Sequence, residues 1–544
     1  MSPTGGSCEF VIDSSDSDMW NAETKQDCYI GDALLADDGR WHCPHDAADG
    51  EYLCLFHLPV DRKDDDAVVD AFVRSIENGP TPRETADDGT RVHQFAGAIF
   101  GTFELCDHAG ELESDAEILL SHAEFHGPVD LSGRSLSVPF LSFRGATFRG
   151  ACSFERSTFD TSTNFSDAVF EVAAGFEGAR FEDDVYFTDA DFRDEATFDA
   201  ATFEGETHFA ETSVEAAATF RNATFRGRAK CSWAEFGGPA RFSSTVFEGE
   251  NTFMGVTFGA KADFKRATFR DGAHFRQATF AETGDFSLAT LASDSFFYAA
   301  TFDGVARFQV TRFEGRAVFR DATFADEADF EKARFGLRPE FDDAGFQGVA
   351  SFTSASLPEG SFTDAQAGGV CFEQANLQAA DFDGADLTYA NFERARLSSA
   401  NLSGANLSGS ALAGTRIDGV VVDTETVFDR HQTNRCLYDP DSEYRYERDG
   451  ETDAERLRKA MDAYEALGRI AGENALPSKQ AAFHSQRRRM HRVRLRREES
   501  FPRLGFRRAQ LAHLIPGTET DVTRVLFLLA GTTAWVVLLH LLVG

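Results

Sequence analysis

An apolar residue recurs on a fixed clock from Phe143 to Val422. The marks open with Phe143, Phe148, Phe154, Phe159, Phe165, Phe170 and Phe176, so steps of five and six alternate and the true period is eleven. The ladder runs to Phe352 and closes at Leu357, with Val214, Cys231 and Leu291 also standing where Phe is expected. From Phe362 the six-residue steps vanish. Phe372, Leu377, Phe382, Leu387, Phe392, Leu397, Leu402, Leu407, Leu412, Ile417 and Val422 keep a strict five, with one weak mark at Ala367. A small residue stands two before most marks, as at Ala146, Ala168 and Ala179 early and Ala375, Ala380 and Ala385 late. Positions i and i−2 of an extended segment point to one side. Each short segment therefore sends one large and one small apolar side chain inward and then turns. Marks spaced five then six scatter around a helix, whereas repetition at short fixed period means a solenoid.

The segments ADFDGADLTYANFERARL (Ala380 to Leu397) and ANLSGANLSGSALAG (Ala400 to Gly414) resemble the pentapeptide-repeat proteins, whose unit is A(D/N)LXX. The resemblance implies an all-β solenoid, a right-handed quadrilateral β-helix with four pentapeptides per coil. The five-six alternation departs from that unit. If four faces still make one coil, each coil takes up two of the eleven-residue periods, and the surplus residue on two faces bulges at alternating corners. Residues 143–357 then form about 9.5 Phe-rich coils and residues 358–422 about 3.5 strict pentapeptide coils. At about 4.8 Å per stacked strand the rod is on the order of 60 Å long.

The flanks read differently. Residues 1–75 form a small Cys/His unit ending in an amphipathic helix over 64–76, with Val68, Val69, Phe72, Val73 and Ile76 on its apolar side. Residues 76–142 read as a linker and irregular coils capping the rod's first edge. Beyond the rod, residues 423–510 are helical and Arg-rich. Leu457, Met461, Tyr464, Leu467 and Ile470 mark one helix, which Gly472 and Pro477 end. A second runs over about 478–499, and the pair predicts an α-helical hairpin over the last coil. Residues 525–544 contain no Asp, Glu, Lys or Arg. As a helix they span about 30 Å, so 522–544 is expected to be one transmembrane helix. Ten Arg lie between 487 and 508, which by the positive-inside rule keeps the bulk of the chain cytoplasmic, on a single-pass anchor in the cell membrane.

Charge and chemistry refine this picture. The net charge is −37, and only eight of the 53 basic residues are Lys. Such an acidic, Arg-favouring surface resembles the salt-adapted proteins of halophilic archaea and keeps a chain soluble. The first 25 residues are polar and acidic, without the apolar stretch of a secretory leader. In a reducing compartment, Cys near His points to a metal or inert thiols rather than to disulfides. Cys54 and His57 form one ligand pair, Cys43 lies eleven residues earlier, and Cys8 completes a candidate Zn2+ site. Cys28 and His45 are alternative ligands, and the pattern resembles a short Cys/His leader of some pentapeptide-repeat proteins. The plain alternative is four cysteines packed in a small core.

Phosphate loops, nucleophile elbows and HExxH motifs are absent from the sequence, and Cys152 and Cys231 read as packing thiols. The chain is expected to be non-enzymatic: a membrane-tethered scaffold whose solenoid faces bind a protein partner. Two alternatives follow from the resemblance. One is a DNA mimic acting on a type II topoisomerase, as some members of the family are. The other is the cytoplasmic part of a membrane sensor or channel assembly. The sequence carries no TVGYG-like filter. Basic groups at Arg221, Arg226, Arg228 and Lys230, and at Lys261, Lys265, Arg266 and Arg270, break the negative surface and argue against nucleic acid, bound or imitated.

Overall fold

The computed structural model describes residues 7–13, 34–36, 40–81, 84, 91–105, 112–428 and 452–497. Its body is a parallel β-solenoid. Each turn carries four short strands, and each strand pairs with its equivalent one turn later: Thr147 with Val169, Cys152 with Ala174, Thr158 with Arg180 and Thr163 with Val185. Two of the four ladders hold 12 strands apiece, so the continuous part makes about twelve turns. The other two merge into one sheet of 20 strands, because Val246–Thr252 and Thr268–His274 run straight through a corner.

The marks fill the interior. Phe264 is fully buried and stacks on Phe242 and Phe286, both at 4.8 Å and within 5° of parallel. Across the core it meets Phe253 and Phe275 edge to face at 5.6 and 5.3 Å. Offset-stacked and edge-to-face pairs are the arrangements that the ring quadrupole favours. Each ring removed from water contributes roughly 1.5–3 kcal/mol.

The five-residue and six-residue steps make two kinds of corner. Phe143 to Phe148 closes as a turn in which the Ala146 N–H donates to the Phe143 carbonyl at 2.9 Å and Gly145 has φ +65°. That left-handed position recurs once per eleven-residue period, at Arg156, Asp167, Gly178 and Asp189 and onward to Ser354. The six-residue corner carries no such residue except at Gly272, with φ +51°. It bends against the corner of the preceding turn, as at Gly227, where a Cβ would come 2.1 Å from the Gly205 carbonyl oxygen.

The ladders begin at Val92, well before Phe143. The first turns are longer than the later ones: Val92 pairs with Glu117, Ile99 with Glu124 and Ile118 with Leu141, each a wider offset than that from Thr147 to Val169. Residues 91–142 are thus coils of the rod itself, and the cap lies upstream. Helix α1 (Asp65–Asn78) starts on the Asp64 side chain, which accepts the Ala67 N–H, and ends at Gly79. Its Phe72 ring packs on Phe95 and Phe103 of the first coil at 4.7 and 5.2 Å.

At the other end, α2 (Asp453–Glu473) and α3 (Pro477–Arg497) form the expected hairpin. Thr452 and Glu455 make a capping box, a reciprocal pair of side-chain bonds that satisfies the first free amides of α2. Leu457, Tyr464, Leu467 and Ile470 are buried. The Lys459 ammonium donates to Glu393 at 2.8 Å, the Asn474 amide to the Val420 carbonyl at 2.8 Å, and Lys479 to the Thr426 carbonyl at 2.7 Å. The hairpin therefore closes the last coil. Among the described residues no helix is long and apolar enough to cross a membrane. The segment 522–544 lies outside the described residues.

Candidate metal centre

A short antiparallel ribbon, Val11–Asp13 with Arg40–His42, places Cys8 ahead of one strand and Cys43 after the other. The Cys8 N–H donates to the His45 carbonyl at 3.0 Å and the Cys43 N–H to the Phe10 carbonyl at 3.1 Å, which draws the two thiols to one end of the ribbon. A tight turn follows. The N–H groups of His57 and Leu58 both donate to the Cys54 carbonyl at 3.1 Å, so Cys54 and His57 project together.

The ligand atoms of Cys8, Cys43, Cys54 and His57 converge within 4.8 Å of one another, and all four residues are buried. Cys43 Sγ is 3.7 Å from Cys54 Sγ, and His57 Nδ1 is 3.1 Å from Cys54 Sγ and 3.6 Å from Cys8 Sγ. Two thiolates about 2.3 Å from one tetrahedral ion would lie about 3.8 Å apart, so the spacing fits a structural zinc site. Phe10 stacks on the His57 ring at 3.9 Å. The outer nitrogen, Nε2, faces the Ala96 carbonyl at 3.0 Å. A proton on Nε2 satisfies that carbonyl and leaves Nδ1 free to act as a ligand.

Ionisation makes the same point. Hydrogen bonds from Cys43 and Cys54 hold the Cys8 thiol far below its usual range. The same kind of contact, to Cys54 and Cys8, with burial added, pushes Cys43 far above it. Burial works against protonation of His57, but its hydrogen bonds to Cys54 and Cys8 outweigh that and raise it to about 9. Three thiolates in so small a buried space would repel one another, and a cation among them would offset that repulsion.

His45 Nε2 bonds the Gln94 carbonyl at 2.8 Å and is not one of the four, and Cys28 lies outside the described residues. Cys152 and Cys231 are buried thiols whose ionisation is pushed up by burial, Cys231 to about 12.

Two features of the rod escaped sequence reasoning. Thr212, Thr245 and Thr311 occupy the small inward position usually held by Ala, and each hydroxyl donates to a carbonyl of the preceding turn, at Phe187, Phe220 and Phe286. On the outside, several arginines of the basic clusters are paired one turn away. Arg221 binds Asp199, Arg226 binds Glu204, Arg228 reaches Glu206 and Glu250, and Arg270 binds Glu248. Every one of these pairs is one coil apart, the same offset that pairs Thr147 with Val169, so the coil length itself was the signal that could have found them.

The comparisons with known proteins agree on the repeat. The family model described as "Pentapeptide repeats (8 copies)" matches residues 375–414, and "Pentapeptide repeats (9 copies)" matches 143–191 and 308–356. Among solved structures, the chain is similar to QnrB1, a plasmid-mediated fluoroquinolone resistance protein, at 15% identity over 43% of this chain and 91% of that one, with a TM-score of 0.22. It is also similar to HetL of Nostoc sp. strain PCC 7120, a pentapeptide repeat protein involved in heterocyst differentiation regulation, at 16% identity over 49% of this chain and 86% of that one, with a TM-score of 0.14. No curated protein matches the chain. The chain carries pentapeptide repeats in both halves of its rod, and the rod is a β-solenoid of the pentapeptide-repeat type.

Proposed function

We propose that this chain is a non-enzymatic scaffold that presents its solenoid to a protein partner, with zinc as a structural ion in its N-terminal unit and a membrane tether at its C-terminus. The observation that carries the scaffold reading is a set of large apolar side chains turned to solvent at the left-handed corners. Trp233, Leu288, Val310 and Tyr389 all have φ between 59° and 63° and are 40–52% exposed. A bulky residue there costs about 1–2 kcal/mol of backbone strain, and in the free chain 40–52% of it still faces solvent. A partner surface that covers those side chains recovers the loss. The coil-to-coil alternation of Arg and Glu supports the scaffold over a DNA mimic, because a mimic needs a continuous negative face.

The tether rests on the apolar run 525–544 and on the Arg-rich stretch before it, which suits anionic lipid heads. Fractionation tests it. The full chain should sediment with membranes, and a chain lacking 522–544 should become soluble with its far-ultraviolet circular dichroism unchanged. A full chain that stays soluble and monodisperse without detergent overturns the tether and leaves a free binding module.

A further inference from the structure

Among the described residues the first coil has an edge with no coil below it, and its strands Val92–Gln94, Ile99–Phe100 and Phe103–Glu104 pair only with strands of the coil above. A bare edge of this kind is a row of unpaired N–H and C=O groups. The N-terminal unit meets that row group by group rather than with a strand. The Gln94 N–H donates to Glu84 at 3.3 Å, and the Gln94 carbonyl accepts from His45 at 2.8 Å. The Ala96 carbonyl accepts from His57 Nε2 at 3.0 Å. The Ile99 N–H donates to the Phe56 carbonyl at 2.8 Å, and the Ile99 carbonyl accepts from the Lys63 ammonium. The Thr102 N–H donates to Asp65 at 2.8 Å. Two glycines permit this approach: a Cβ on Gly97 would lie 2.6 Å from the Phe10 ring, and one on Gly101 would lie 2.0 Å from the Asp65 carboxylate.

Half of these contacts belong to one loop. His57 is both a candidate ligand and the donor to Ala96, and Phe56 stands beside it. Lys63 also donates to the Leu55 and Phe56 carbonyls, at 3.1 and 3.0 Å, so a single ammonium joins the ligand turn to the first coil. We propose that metal occupancy keeps the solenoid's first edge closed. A thiophilic divalent cation held by Cys8, Cys43, Cys54 and His57 fixes the 54–63 loop, and that loop seals the coil. The proposal rests on the zinc reading above. Apart from the four ligand side chains, ribbon and turn meet through the Phe10–His57 ring stack and the Glu9 N–H, which donates to the Tyr52 carbonyl at 2.9 Å. The ribbon is three residue pairs long, and protonated thiols are weak hydrogen-bond donors. In so small a unit the free energy of metal binding is folding free energy.

Hydrogen exchange read by mass spectrometry on the full chain in detergent, with elemental analysis, tests this. The chain as purified should hold one zinc. Stripping with a strong chelator should speed exchange at least tenfold in peptides covering 54–63 and 92–105, and added zinc should reverse it. Peptides around Phe264 should not change. Cys54→Ser should behave as the stripped chain. Lys63→Met should keep its zinc and still lose protection over 92–105, which separates the latch from general collapse of the unit. A chain without zinc overturns the zinc reading and the latch with it. A chain that holds zinc, but whose 92–105 peptides exchange alike with and without it, overturns the latch alone.

Discussion

The Phe-rich coils and the strict pentapeptide coils differ by two residues per turn, and their cores show why. In both regions one opposed pair of faces brings aromatic rings together edge to face, as Phe253 does with Phe264 and Phe352 with Phe362. The other two faces change. They carry Phe148, Phe170 and Phe192 in the first region and Leu357, Leu377 and Leu397 in the second. The six-residue step always follows a mark on these flanking faces, and from Leu357 onward it shortens to five. With the extra residue gone, every corner becomes a left-handed turn, at Glu359, Asp364, Gly369, Gln374 and onward. Two-residue strands shrink to single bridges such as Ser356 to Asn376 and Asp381 to Asn401. The change passes through an intermediate turn, in which Glu340 bridges Ser361 at an offset midway between the earlier and the later one. Val214 and Leu291 show that one smaller flanking residue does not shorten a coil, because the turns above and below hold the perimeter. Coil length is thus a property of a stack of rings.

The strongest test of that difference is a pair of truncations. Phe264 belongs to the opposed pair and Phe258 to a flanking face, and both are fully buried. Phe264→Ala should cost about 3–5 kcal/mol in urea unfolding, since it leaves a cavity among four rings. Phe258→Leu should cost under about 1.5 kcal/mol, because the chain already accepts Val214 and Leu291 at equivalent positions. Equal costs would mean that the two pairs of faces are not distinct.

Most of the rod was legible in the sequence because its inward positions repeat with few exceptions, and period alone assigns them. The N-terminal end was legible only in part. Cys54 and His57 are neighbours in the chain, so spacing suggested them. Cys8 could not be separated from Cys28 by spacing, because the ribbon that brings Cys8 to the turn joins Val11 to His42, a contact between distant parts of the chain. The role of Glu84, His45, Lys63 and Asp65 on the first edge had no signal, since each answers a backbone group whose position depends on the folded coil. The start of the ladders at Val92 was obscured for a similar reason: the wide offsets from Val92 to Glu117 and from Ile118 to Leu141 break the clock.

The two corner types give a smaller test. A six-residue corner is limited by space and a five-residue corner by backbone conformation. Gly227→Ala places a Cβ against backbone that cannot swing away, at a cost of about 1–3 kcal/mol. At Gly404, with φ +64°, the nearest atom to an added Cβ is 3.4 Å away. Gly404→Ala therefore meets only the left-handed penalty, about 1 kcal/mol. Thermal unfolding of both variants should rank them in that order, and the reverse ranking would show that the bend corner relaxes.

The smallest expected effect has the opposite sign. Val310 sits at a left-handed corner with φ +59°, is 40% exposed, and is β-branched, the side chain least suited to that conformation. Asn222 holds the equivalent corner four turns earlier at φ +58°. Asn adopts this backbone readily because its short polar side chain bonds locally. Val310→Asn should therefore stabilise the free chain by about 1 kcal/mol, seen as a higher unfolding midpoint at unchanged denaturant slope. If the exposed apolar corners serve a partner, the same variant should bind that partner more weakly. A variant that is less stable than the parent would mean that Val310 is held by packing along its corner, and the corners would then lose their claim as a binding surface.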